Sequence, residues 1–161
     1  MLQGIAARIT ELYIADLSQL LQLSVDAPDV YAGTAALARL VIIAGTEPQL
    51  TLTRARYEIA LQAGRDPALR TTIQAIADLL HRLVGEVVTH WQPAGDPLPK
   101  RIVEQQTNAM LTFIDGVLMS FVLGRPAVHD EAELDQLLQA LLTGIETSYL
   151  AGAEQAPARP Q

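Results

Sequence analysis

The chain has 161 residues, half of them hydrophobic, no cysteine and a formal net charge of −7. That length supports one domain with a real core rather than two, and the absence of cysteine excludes disulfides and thiolate metal sites and fits a cytoplasmic protein. With a single lysine, Lys100, and arginines scattered over several segments, the sequence offers no basic patch that could hold nucleic acid by itself.

Leu2, Ile5, Ile9, Leu12 or Tyr13, Leu17, Leu20 and Leu21 recur at three- and four-residue steps and predict a first amphipathic helix over about residues 2–23. No basic segment leads into an apolar one with a cleavage site, so no secretory signal is read here. A second helix is expected over about residues 29–44, ended by Gly45 with Pro48 soon after. Its densest apolar run, from Ala35 to Gly45, is broken by Arg39 and is too short to span a membrane, so it reads as a buried helix. A shorter third helix takes about residues 52–64.

Asp66 and Pro67 then supply an N-cap and a first-turn proline for a fourth helix reaching His90 or Trp91. The turn-rich string QPAGDPLP separates it from a long fifth helix over about residues 100–124. At about 100° per residue, Ile102, Gln105, Ala109, Thr112, Phe113, Gly116, Ser120 and Leu123 share one side of this helix. Val103, Thr107, Met110, Ile114, Leu118 and Phe121 share the other. A helix apolar on both sides needs two partners. The Gly116 side is small and flat, and the expectation is that it meets a second subunit while the Ile114 side faces a core or a cavity.

Gly124, Arg125 and Pro126 end the long helix, and Asp130 with Glu133 resembles a capping box for a sixth. Its stripe is Leu134, Leu137, Leu138, Leu141, Ile145 and Ser148. The small, polar, proline-containing segment 151–161 is expected to be a disordered tail. With no alternating strand pattern and no internal repeat, the chain is predicted to be all-α in one domain, residues 1–150.

Three segments carry a family resemblance: TRARYEIALQAGRDPALR, LTFIDGVLMSFVLG and DEAELDQLLQALLTGI. Arg56, Tyr57 and Glu58, then Arg65, Asp66 and Pro67, then Asp115 and Gly116, taken in that order and spacing, resemble the C-terminal regulatory domain of the tetracycline-repressor-like (TetR) family of bacterial transcription factors. The resemblance runs from the first helix to about Leu150. It implies an orthogonal-type bundle of about six helices that binds a small apolar or amphipathic effector. It also implies a homodimer, in which the last two long helices form a four-helix bundle. Ala109, Phe113, Gly116, Ser120, Leu134, Leu138, Leu141 and Ile145 would make that interface. Such regulators begin with a helix-turn-helix of about fifty residues, which this sequence does not contain. Either it belongs to a longer chain or the domain works without DNA contact, and any DNA partner would be reached only through it.

Thr107, Met110 and Ile114 either line a ligand cavity or, for Thr107, return a hydroxyl to a carbonyl one turn back in ordinary core. Tyr13, Tyr57, His81 and Trp91 each join an apolar body to a polar tip, the mixture that small-molecule pockets use and that core edges use as well. Arg54 and Arg56 either bind an anion or pair with neighbours such as Glu58, and His90 suits a helix C-terminus. For catalysis the sequence offers no Gly-rich phosphate loop, nucleophile elbow or HExxH pair. His81, His90 and His129 lack metal-ligand spacing, and Glu86 and His90 are four apart where a di-iron bundle needs three. No enzyme, cofactor, metal or membrane partner is expected; the remaining alternative is a structural helical homodimer with a filled core.

Overall fold

The computed structural model describes residues 32–91 and 97–154, with Gly4, Arg8 and Ala15 as isolated helical positions. The rest of the first predicted helix, Tyr13 included, and the segments 92–96 and 155–161 lie outside the described residues. Among those described there are five helices and no strand: α1 (Ala32–Ala44), α2 (Gln49–Ala63), α3 (Pro67–Trp91), α4 (Lys100–Val122) and α5 (Glu131–Glu154). The all-α expectation holds. Helix α5 continues through Glu154, so residues 151–154, expected in the tail, extend the last helix instead.

The boundaries follow local chemistry. Asp66 Oδ1 accepts from the Leu69 amide at 3.3 Å at the start of α3, satisfying one of the amides that a helix start leaves unpaired. At the start of α5, Asp130 Oδ1 accepts from Glu133 N at 2.8 Å while Glu133 reaches back to His129 N at 2.8 Å, a reciprocal cap set one residue earlier than the usual box. Helix α4 stops where Gly124 turns left-handed at φ 68, with Arg125 N on Ser120 O at 2.8 Å and Gly124 N on Phe121 O at 3.0 Å, the Schellman arrangement. Ser120 Oγ then accepts from Ala127 N at 3.0 Å and pins the connection to α5.

Helices α1 and α4 each touch the other four described helices; α1 packs most extensively against α5, and α3 and α5 flank α4. The main core joins Leu37, Ala38 and Val41 of α1, Val84 and Val88 of α3, Met110, Ile114, Val117 and Leu118 of α4, and Leu134, Leu138 and Leu142 of α5. Each buried leucine contributes about 1.5–3 kcal/mol through burial. A smaller cluster of Ile59, Ala63 and Leu69 fastens α2 to α3. The α1–α2 corner is tight: Thr53 Oγ1 caps Ala44 O at 2.9 Å, and Phe121 fills the space a Cβ at Gly45 would need, with Cγ within 2.7 Å of it. Only glycine allows that approach.

The stripe read on the last helix divides. Leu134, Leu138 and, one position beyond the expected set, Leu142 have no exposed surface, because they belong to the main core. Leu134 and Leu138 therefore leave the expected dimer interface and join the subunit core.

Candidate functional site

Helix α4 carries both candidate surfaces. Its inward side is Ile102, Gln106, Thr107, Met110, Ile114, Val117 and Leu118, all buried. Ile102, placed with the Gly116 side by angle alone, is among them and also lines a groove between α4 and α5.

The inward residues expected to line a cavity are closely packed. Met110 is wholly buried, Thr107 and Ile114 nearly so. Thr107 Oγ1 donates to Val103 O at 2.8 Å, the one-turn return open to it from sequence. It lies 3.7 Å from where a Cβ on Gly85 would be, which brings α3 close. Beside it stands a residue that sequence reasoning left unassigned. Gln106 has no exposed surface and donates from Nε2 to Leu142 O on α5 at 3.1 Å, while its Oε1 has no hydrogen-bond partner among the described residues.

The other polar-tipped residues are dispersed. His81 Nε2 meets Asn108 Oδ1 at 3.2 Å between α3 and α4; Trp91 closes α3; His90 Nδ1 lies 2.8 Å from Glu86 O in the last turn of that helix. Arg54 pairs with Glu47 at 3.3 Å on the surface rather than with Glu58.

Tyr57 takes part in a contact invisible in the sequence. Its hydroxyl donates to Asp115, 3.2 Å from the carbonyl oxygen and 3.3 Å from Oδ1. The Arg56 guanidinium sits 3.6 Å from the same carboxylate and 4.9 Å from the Tyr57 ring centroid, over its face. Two motifs 58 residues apart, each weak alone, thus meet as a latch between α2 and α4. Burial pushes the Tyr57 phenol from its ordinary 10.0 to about 12; the Asp115 carboxylate and its hydrogen bond add to this, and Arg56 opposes it.

The sign of the pH dependence follows. The folded chain holds the proton more firmly than the unfolded chain, so this contribution is complete below pH 10 and is lost as pH rises from 10 towards 12. Replacing Tyr57 by Phe is expected to remove about 0.5–1.5 kcal/mol at neutral pH and to flatten the alkaline loss. Urea melts of both proteins between neutral pH and the alkaline range check it; parallel pH profiles would deny the latch.

The outward side is open. Gly116 is exposed, with nothing among the described residues within 4 Å of a Cβ built on it, and the same holds for Gly144 on α5. Ala109, Phe113 and Ser120 are half-buried around Gly116, as are Leu141 and Ile145 on α5, while Leu137 is 41% exposed. Ser120 uses its hydroxyl within the subunit, donating to Val117 O at 2.6 Å. The groove between the two helices is walled by Ile102, Gln105, Leu141, Gly144 and Ile145, with Arg101, Ser148 and Tyr149 also on its lining. Among the described residues no helix is long and apolar enough to cross a membrane, and no three His, Cys, Asp or Glu side chains gather as a metal site would need.

The described residues thus form an all-α domain whose long helix has one side packed and the other open. A family model described as Tetracyclin repressor-like, C-terminal domain, matches residues 28–144, and the chain belongs to that family. Domains of this family are regulatory, serving ligand binding and dimerisation. No curated protein and no solved structure matches the chain.

Proposed function

We propose that residues 28–144 form the effector-sensing and dimerisation domain of a TetR-like bacterial transcription regulator. The observation that carries this reading is the family match over that span. The open side of α4 and α5 supports a homodimer built around Gly116, Leu141, Gly144 and Ile145, since small residues let helices approach and apolar neighbours gain from being covered. A small, mainly apolar molecule favours one arrangement of the bundle over another, and the difference reaches a helix-turn-helix outside these residues. The Tyr57–Asp115 latch supports such coupling: it ties α2 to the residue beside Gly116, so a displaced α2 pulls on the dimer helix.

The test is light scattering on the full chain, with melting temperatures taken across a panel of small apolar compounds. A mass of twice 17.4 kDa is expected, together with stabilisation by at least one compound; ligand at a hundred times its Kd adds about 2.7 kcal/mol. A monomeric mass at tens of micromolar would defeat the dimer reading. The close packing of Met110, Thr107 and Ile114 favours a second reading, a structural helical homodimer with no internal ligand. It predicts the same mass and no compound that raises the melting temperature.

A further inference from the structure

Four polar side chains are buried among the described residues: Thr34, Thr53, Gln106 and Thr107. The threonine hydroxyls at 53 and 107 donate to Ala44 O and Val103 O, and Thr34 also has an interaction partner. Gln106 is different. Its Nε2 crosses to α5 and donates to Leu142 O, but its Oε1 is buried without a donor. Buried amide oxygens are nearly always paired, and an open one is destabilising unless something supplies the hydrogen bond. Turning the amide over does not relieve this. It would set Oε1 against Leu142 O, two acceptors facing each other, and leave an amide N–H open instead.

The open atom is therefore an acceptor, which fixes the chemistry of what can complete it. An O–H or N–H donor fits; a carboxylate or phosphate oxygen, an acceptor only, is repelled. One turn to either side on the same face of α4 stand Ile102 and Met110, both buried, so the rest of the partner must be apolar. Met110 is unbranched, with several rotatable bonds, and is the neighbour best able to move aside and make room.

We propose that Gln106 is the polar anchor of the effector site, its Oε1 accepting a hydrogen bond from the hydroxyl or N–H of a small uncharged apolar molecule seated between Ile102 and Met110. This rests on the reading of the domain as an internal effector sensor, and it restricts the effector to molecules with a donor. It also accounts for an unpaired polar atom in an otherwise apolar stripe: the free fold forgoes one hydrogen bond that the ligand restores.

The experiment compares two probes of nearly equal shape, n-octanol and methyl heptyl ether, which differ in the donor. Each is titrated calorimetrically into the full wild-type chain and into Gln106→Met. The wild type is expected to prefer the alcohol by about fivefold to tenfold, the worth of one neutral hydrogen bond, and the variant to bind both alike. The variant also loses the Nε2–Leu142 O bond, so its fold is checked by circular dichroism and the comparison of the two probes carries the test. The wild-type comparison stands even if the variant fails to fold.

Equal binding of both probes by the wild type overturns the donor requirement and leaves an internal ligand in place. Binding of neither by a folded dimer removes the internal site as well. A preference that survives in Gln106→Met shows the anchor to be elsewhere.

Discussion

Leu138→Ala is expected to lower the unfolding free energy by about 2–5 kcal/mol while the chain remains a dimer at concentrations where it still folds. Leu138 is fully buried between Leu134 and Leu142 in the layer that joins α5 to α1. Truncation removes the transfer energy of the lost atoms and leaves a cavity that α1 can close only in part, because its own inward residues, Leu37, Ala38 and Val41, are already buried in the same core. A loss of that size is a large fraction of a domain's net stability. Urea unfolding at several protein concentrations is the check, because dimerisation adds a concentration-dependent part to the measured stability and core packing does not. A loss below about 0.5 kcal/mol, the usual range for surface positions, would place Leu138 outside the subunit core.

Leu134 and Leu138 lie in the subunit core, where periodicity alone does not distinguish them from interface positions. The leucine doublets at 137–138 and 141–142 widen the apolar band beyond the single stripe of a helix with one neighbour. Periodicity records that a position is apolar; it does not say whether the chain's own α1 or a second subunit covers it. Local chemistry was more legible. Asp66 before Pro67, Asp130 with Glu133, and Gly124 at the end of α4 each act within a few residues, and each lies where capping rules put it. The Tyr57–Asp115 latch has no local signature, since it joins residues that become neighbours only after α2 packs on α4. Gln105 and Gln106 pose the same difficulty in miniature. They are adjacent and chemically identical, and only the packed structure sends one into the groove wall and the other into the core.

Gly116→Leu separates the open side of α4 from its packed side most cleanly, because its two effects run in opposite directions. Within one subunit there is room for the new side chain, with nothing within 4 Å of the first atom it adds. An interior helix glycine is about 1 kcal/mol less favourable than a good helix former, so the subunit itself should be slightly stabilised. In the proposed dimer the same side chain would stand where a partner helix approaches. Disrupting a central interface position costs about 2–4 kcal/mol, which weakens self-association by roughly thirtyfold to a thousandfold. The expected result is a chain with unchanged helical circular dichroism that sediments as a monomer at concentrations where the wild type is a dimer. A variant that stays dimeric with wild-type affinity would move the interface away from Gly116. One that loses its helical signal together with its dimer would show instead that the open side is needed for folding, and that the subunit is incomplete until Leu141, Gly144 and Ile145 are covered.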